Sequence, residues 1–380
     1  MSLHKQQDVF CRTLSGGTIQ VNREQGEIAL ADLFEIAERR NPKRAFLFVS
    51  KVLGRHIPVA PSVMRQAYRQ LAKRFPATLP GPVLFIGLAE TAVGLGAGLF
   101  DEVHPRFAEA VYLTSTRHPV DGEMLCEFKE AHSHATDHLL YLPDDSELQR
   151  QVTQARTLVM IDDEATTGNT FLNLLLALIA TGKLQQLERA VAVTLTDWSN
   201  NALAERSPLP VTSVSLVSGQ WRWAPFPDAP VPVMPAVNIT ARGKWPIAAK
   251  QSWGRKGMCK STDDLGAEVT TLCDERVLVL GTGEFVWQPF LLAERLAANG
   301  AQVLFSATTR SPIAPGHAIQ SALAFSDNYG LGIANFLYNV VHQRFDRVLL
   351  CTETPAASVD RHLLNALAEI APAVEIISYE

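Results

Sequence analysis

The stretch TLVMIDDEATTGNTFLNLL, Thr157 to Leu175, constrains the fold of this chain more than any other. It begins with an apolar run that has the length and composition of a buried strand. Phe171, Leu174, Leu175, Leu178 and Ile179 then recur at helical spacing until Gly182 offers a stop. Between the two lie three consecutive acids, Asp162, Asp163 and Glu164, and the small polar run Thr166, Thr167, Gly168, Asn169 and Thr170. The acids and small residues therefore sit on a strand-to-helix turn.

Further strand-like runs alternate with helical patterns: AFLFVS (45–50), PVLFIG (82–87), AVYLTS (110–115), HLLYLP (138–143) and AVAVTLT (190–196). This alternation predicts an α/β fold with a mostly parallel sheet and helices on both faces. From Ala224 to Lys260 the composition changes. PFPDAPVPVMP is followed by Arg242, Lys244, Lys250, Arg255, Lys256 and Lys260, with no acid between Asp228 and Asp263. Such a Pro-rich, basic stretch reads as an interdomain linker or extended arm. Beyond it, RVLVLGTGEF (276–285), AQVLFSATTRSP (301–312) and DRVLLCTETP (346–355) are strands ending in Thr-bearing turns. The expected organisation is a first domain over 1–240, a basic linker over 241–270 and a smaller Rossmann-like α/β domain over 271–380.

The 380 residues suit two or three domains, and a hydrophobic content of 47% is ample for buried cores. A net charge of -5 makes nucleic acid an unexpected partner, although a local basic patch stays open. The five cysteines are odd in number, scattered and without CxxC spacing, so neither a disulfide framework nor a zinc knuckle is indicated. The N-terminus has no apolar signal region, and the longest apolar run, Leu174 to Ala180, is too short to span a bilayer. A soluble, cytoplasmic protein without a membrane partner is expected.

Adjacent carboxylates at a strand's end can accept hydrogen bonds from a diol, while the free N–H groups opening a helix hold an anion. A sugar phosphate carries both. Gly168 lets the backbone approach the phosphate, and Thr166, Thr167, Asn169 and Thr170 can add donors. The alternative is an ordinary strand-to-helix turn with an acidic cap. In order and spacing, LVMIDDEATTGNT resembles the signature of type I phosphoribosyltransferases. The resemblance implies that Asp162 and Asp163 bind the ribose hydroxyls of 5-phosphoribosyl 1-diphosphate and that Thr166 to Thr170 cradle its 5-phosphate. Glu164 departs from the pattern, because that place is often apolar in the family.

FIGLAETAVGLGAG (85–98) is a second small-residue turn after a strand and resembles the family's diphosphate loop, with Glu90 and Thr91 as binding candidates. Gly94, Gly96 and Gly98 fall inside the helix that follows and can instead serve tight packing. TSTRHPVDGEMLCEFKEAHSHATDH (114–138) is long and shows no clear periodicity, as a functional lid would. It resembles in role the family's mobile loop, with Arg117 and Lys129 as cations and His132 and His134 facing substrate. Metal binding by the two histidines and roleless surface histidines stay open. SKVLGRHIPV (50–59), GLAETAVGLG, FKEAHSHATDH and the signature, together with Thr309, Arg310, Ser311 and Pro312, resemble the tellurium-resistance-associated phosphoribosyltransferases with a C-terminal TRSP domain. That family is associated with nucleoside-like metabolites.

In the second domain, Gly281 and Gly283 are followed by Val286, which breaks the dinucleotide pattern at its third glycine. Thr282, Glu284, Thr309, Arg310, Ser311, Thr352 and Glu353 all lie just after strands and converge on one crevice if those strands are parallel. SDNYGLGIANFLYNV (326–340) is expected to add polar groups beside an apolar helix. Ordinary caps and turns would explain the same residues. The resemblance implies transfer of a phosphoribosyl group to a base-like acceptor, with Mg²⁺ on the departing diphosphate and a fold that often forms homodimers. The rival is a regulator that senses the sugar diphosphate without turning it over and binds nucleic acid through its basic stretch.

Overall fold

The computed structural model describes residues 8–40, 44–129, 137–229, 235, 237, 239–247, 254–260, 262 and 266–379. The first sheet contains β1 (Val9–Leu14), β2 (Gly17–Gln25), β3 (Val83–Gly87), β4 (Ala110–Thr114), β5 (Thr157–Ile161), β6 (Arg189–Asp197) and β7 (Val211–Pro225). Their order across the sheet is β1, β2, β7, β6, β5, β3, β4. The five strands from β7 to β4 are mutually parallel, and the β1–β2 hairpin adds antiparallel to β7.

Alternation along the strands builds two layers of core. Phe85, Tyr112, Val159 and Ile161 join one cluster with α1 (Pro61–Arg74) and α2 (Ala92–Val103). Leu84, Ile86, Val111, Leu113, Leu158 and Met160 join the other with α3 (Ser146–Thr153) and α4 (Asn169–Ala180). Glycine decides how closely α2 can pack. A Cβ on Gly98 would lie 2.3 Å from the Tyr68 ring, and one on Gly96 would lie 2.8 Å from the Tyr112 hydroxyl. These two glycines therefore serve packing inside the helix.

The second sheet is β8 (Arg276–Gly281), β9 (Gln302–Ala307), β10 (Arg347–Thr352) and β11 (Ala373–Ser378), all parallel in the order β9, β8, β10, β11. Helix α5 (Trp287–Ala298) covers one face and α6 (Arg361–Ala368) the other. The apolar cluster around α1 and α2 continues without a break into Val277, Val279, Phe290 and Phe305. Tyr68 meets Phe290 with ring centroids 5.6 Å apart, and Arg65 bridges Glu294 at 2.7 Å and Asp101 at 2.7 Å. The two sheets thus share one hydrophobic core.

Several expectations change. The run at 45–50 pairs as Phe46–Ser50 with Phe34–Glu38, and the run at 138–143 pairs as Asp137–Tyr141 with Met124–Lys129. Both are antiparallel hairpins outside the parallel sheet. The 326–340 stretch forms a loop and then strand Ala334–Tyr338, which pairs with Ala322–Ser326, so its apolar residues make no helix. Gly330 and Gly332 adopt positive φ of 77° and 72°, and Asp327 accepts from the N–H groups of Tyr329, Leu331 and Ile333, which fixes the loop before it. Strand β7 carries no apolar run, because only part of it is buried.

Part of the basic stretch docks on the sheet edge. Tyr112 and Met258 exchange backbone hydrogen bonds of 2.8 and 3.0 Å, and Thr114 N–H donates to Gly254 at 3.0 Å. The edge strand β4 is thereby covered. Among the described residues no helix is long and apolar enough to cross a membrane, and all five cysteines are free thiols.

Candidate functional site

The signature turn leaves β5 and is fixed by its neighbour. Asp162 N–H donates to the Val193 carbonyl at 3.0 Å, and Leu195 N–H donates to the Asp163 carbonyl at 3.1 Å. Asp163 N–H donates to Asp162 Oδ1 at 2.9 Å, orienting that carboxylate, and both acids are half-buried. Gly168 precedes α4 with φ 70°, and a Cβ there would lie 2.9 Å from Leu203 Cβ. No other residue fits without strain. Thr166, Thr167, Asn169 and Thr170 flank the start of this 12-residue helix, whose first N–H groups suit an anion; Asn169 N–H donates to Thr167 Oγ1 at 3.4 Å. Arg206 donates to Asn169 Oδ1 at 2.6 Å and to the Thr167 carbonyl, bringing a guanidinium to the loop that the sequence pattern did not reveal.

Glu164 takes a different role from its neighbours. Arg44 Nη2 donates to its two oxygens at 2.8 and 3.1 Å, and the guanidinium lies over Phe46, 4.7 Å from the ring centroid. Burial pushes the Glu164 carboxyl up, and Arg44 opposes this. Glu164 is a structural ion-pair partner.

The second turn, Leu88 to Thr91, joins β3 to α2. Ala89 N–H donates to Ser115 Oγ at 2.9 Å, which in turn lies 2.9 Å from Nδ1 of the buried His138. The Glu90 carbonyl accepts from Arg55 at 2.8 Å. The Glu90 carboxylate lies 3.5 Å from Arg55, 3.3 Å from Thr309 Oγ1 and 3.4 Å from Arg310 N. Ser311 N–H closes a turn on Thr309 Oγ1 at 3.2 Å. Thr309, Arg310 and Ser311 therefore meet the Glu90 turn of the first sheet. Arg55, 4% exposed, also donates to the carbonyls of Gly283 and Thr308 at 2.6 and 2.7 Å. It ties the turns of both sheets together.

Arg117 follows β4. Its N–H donates to Glu284 Oε1 at 2.7 Å and its Nη2 reaches the Ala89 carbonyl at 3.4 Å. Lys129 ends one strand of the hairpin, and its carbonyl accepts from Asn173 on α4 at 2.9 Å. His132 and His134 lie outside the described residues.

A buried polar network joins the carboxyl ends of the two sheets. Arg255 donates to Glu353 at 2.6 and 2.8 Å, to Glu284 at 3.0 Å and to Thr116 Oγ1 at 3.1 Å. Tyr329 donates to Glu353 at 2.8 Å and stacks on His118 with centroids 3.8 Å apart. Arg310 donates to His118 Nε2 at 2.9 Å. Burial would raise the Glu284 carboxyl, yet the neighbouring His118 and Arg255 and the hydrogen bonds from Thr116 and Arg117 hold it down to about 2. Burial, with help from Arg310 and Arg255, lowers His118 to about 3, so its ring is neutral at physiological pH. Sequence pattern placed His118 in the polar 114–138 stretch, Tyr329 among the polar groups of 326–340 and Arg255 in the basic stretch, without joining them, and gave Arg55 no role. Only position after a strand gave a signal, and it found Glu284 and Glu353.

The parallel sheet and its carboxyl-edge turns define a phosphoribosyltransferase-type α/β fold. A family model described as phosphoribosyl transferase matches residues 33–220, and the TRSP domain that follows that transferase matches residues 250–368. The chain belongs to this family of phosphoribosyltransferases with a C-terminal TRSP domain. Adenine phosphoribosyltransferase from Trypanosoma brucei, solved with AMP, pyrophosphate and ribose-5-phosphate, is 15% identical and aligns over 41% of this chain and 64% of that one, with a TM-score of 0.29. The chain thus spans less than two thirds of that relative. The adenine phosphoribosyltransferase from Rhodothermus marinus is 18% identical over 41% of this chain and 80% of that one, with a TM-score of 0.26. The Thermoanaerobacter pseudethanolicus enzyme of the same description is 13% identical over 41% and 81%, with a TM-score of 0.29. No curated protein matches the sequence.

Proposed function

We propose that the chain transfers the phosphoribosyl group of 5-phosphoribosyl 1-diphosphate to a base-like acceptor. The bond between the anomeric carbon and the diphosphate oxygen breaks, a bond from that carbon to an acceptor nitrogen forms, and diphosphate and a proton leave. The observation that carries this reading is the signature turn, where Asp162 and Asp163 stand beside a helix opened by a left-handed glycine. The carboxylates would accept from the ribose hydroxyls and favour positive charge on the ring, while the N–H groups after Gly168 hold the 5-phosphate. Glu90 and Thr91 line the neighbouring turn at the same sheet edge, where the diphosphate would lie, and Arg117 approaches that turn at Ala89. Lys129 ends one strand of the hairpin proposed to cover the substrate, and His132 and His134 follow it closely in sequence.

Mg²⁺ would be carried into this site on the diphosphate oxygens of the substrate, where hard oxygen ligands suit it. The resemblance extends the proposal to a nucleoside-like product made in the cytoplasm in connection with tellurium resistance. The regulator reading is disfavoured by the arm's own contacts. Arg242 pairs with Asp121 at 2.6 Å, Lys256 with Asp144 at 3.0 Å, and Arg255 is buried, so half of the six basic residues of that stretch are already engaged within the chain.

Isothermal titration of 5-phosphoribosyl 1-diphosphate with Mg²⁺ tests the proposal. Binding is expected in the wild type and at least tenfold weaker in the Asp162→Asn, Asp163→Asn double variant. Absence of binding to the folded wild type, or equal affinity in the double variant, refutes it.

A further inference from the structure

A cavity of about 540 Å³ opens between the segment after β4 and the basic arm. It falls within the range of small-molecule sites, about 300–1,000 Å³. Three aromatic rings line it: His118, Tyr329 and Trp245. Lys244 lines it as well, and its ammonium lies 5.1 Å from the Trp245 ring centroid, with no acidic partner among the described residues. Arg242 and Lys256 stand on the same wall, each paired with an aspartate, Asp121 or Asp144, that also lines the cavity, which leaves Lys244 as its unpaired cation among the described lining residues.

The arm that forms this wall is seated on the second sheet's loop. Trp245 N–H donates to the Tyr329 carbonyl at 3.1 Å. A Cβ on Gly243 would lie 2.0 Å from that same oxygen, and one on Gly330 would lie 2.7 Å from Lys244 Cβ. Two glycines thus permit the close approach that sets Lys244 and Trp245 in place.

His118 supplies the observation that points to a ligand. It is 2% exposed, and its Nδ1 has no hydrogen-bond partner among the described residues. Its Nε2 accepts from Arg310, whose guanidinium can only donate, so in the neutral ring the proton resides on Nδ1. An N–H donor is thereby left without an acceptor on a residue that lines the cavity, an arrangement that costs free energy unless something accepts the bond.

We propose that this cavity binds a mononucleotide-like small molecule, with its planar ring among the three aromatics, an acceptor atom toward His118 and its anionic group toward Lys244. Aromatic stacking tolerates any base face, and the Lys244 ammonium suits a phosphate. The identity of the ligand as acceptor or product of phosphoribosyl transfer rests on the function proposed above. Binding at the cavity does not.

The test titrates adenosine 5′-monophosphate and uridine 5′-monophosphate, separately, into the full chain carrying Asp162→Asn and Asp163→Asn, which disables the signature turn. At least one should bind, and adding Lys244→Glu or Trp245→Ala should weaken it tenfold or more. Both residues are partly or fully exposed, so the fold should tolerate the changes. Failure of both nucleotides to bind the double variant overturns the proposal, as does binding that neither added substitution alters. Retention of 5-phosphoribosyl 1-diphosphate binding by Lys244→Glu on the otherwise wild-type chain supports two separate sites. Its loss there overturns them. Failure of that ligand on the wild type itself bears on the proposed function and leaves the mononucleotide result readable.

Discussion

Replacing Arg255 by Met removes the cation from the centre of the network that joins the two sheets. The guanidinium contacts Glu353 at 2.6 Å and Glu284 at 3.0 Å, and the side chains of these acids are 0% and 3% exposed. Methionine approximates the volume of the stem and leaves two buried carboxylates without their shared partner. Breaking a buried pair in this way costs about 3–5 kcal/mol. At roughly 2–4 °C per kcal/mol, the value for a cooperative unit of 150–250 residues, the melting midpoint should fall by about 6–20 °C. Scanning calorimetry at pH 7 reads this directly. The triple variant Arg255→Met, Glu284→Gln, Glu353→Gln should recover more than half of the loss, because the stranded charges are gone. Acid supplies a second check. Glu284 is held at about 2 in the folded chain against an ordinary 4.5, so the stability it contributes is present above pH 4.5 and lost as the pH falls toward 2. In Arg255→Met the Glu284 carboxyl loses that lowering influence and moves upward, so the gap between variant and wild type should narrow on acidification. A loss below 1 kcal/mol at pH 7, or a triple variant less stable than the single one, would refute the reasoning.

Gly98→Ala places a methyl group 2.3 Å from the Tyr68 ring between α1 and α2 and should cost about 1–3 kcal/mol in urea unfolding, with an unchanged slope. A neutral result would mean that the helices part without penalty. Arg44→Met strands Glu164, whose side chain is 12% exposed, and should cost about 1–3 kcal/mol at pH 7, restored by adding Glu164→Gln. Binding of 5-phosphoribosyl 1-diphosphate to that restored chain should match the wild type, and a tenfold loss would return Glu164 to the ligand site.

The parallel strands were legible because burial on both faces writes itself as an unbroken apolar run, as in Thr157–Ile161 and Val83–Gly87. The same rule misplaced Phe46–Ser50 and Asp137–Tyr141, whose runs face a core from hairpins. It also passed over Val211–Pro225, where alternating exposure hides the strand. At the site, residues joined by one turn could be grouped from spacing alone, as Asp162, Asp163 and Gly168 were. Arg55, His118, Arg255 and Tyr329 come from four separate stretches and meet only through the packing of two sheets. Local periodicity holds no record of that meeting. The basic stretch shows the limit most clearly, since charge composition read Arg255 as part of a linker, and burial makes it the centre of a network.

The antiparallel bridge between Tyr112 and Met258 has a consequence for synthesis. The edge of the first sheet is closed by residues that follow it by about 140 positions. At roughly 5–20 residues per second, the emerging chain waits about 7–30 s before its own arm arrives to cover that edge. During this interval β4 offers unpaired N–H and carbonyl groups to any neighbouring strand. Translation order thus exposes a bare margin that the finished molecule conceals, and a polysome crowded with such chains is where wrong pairing would begin.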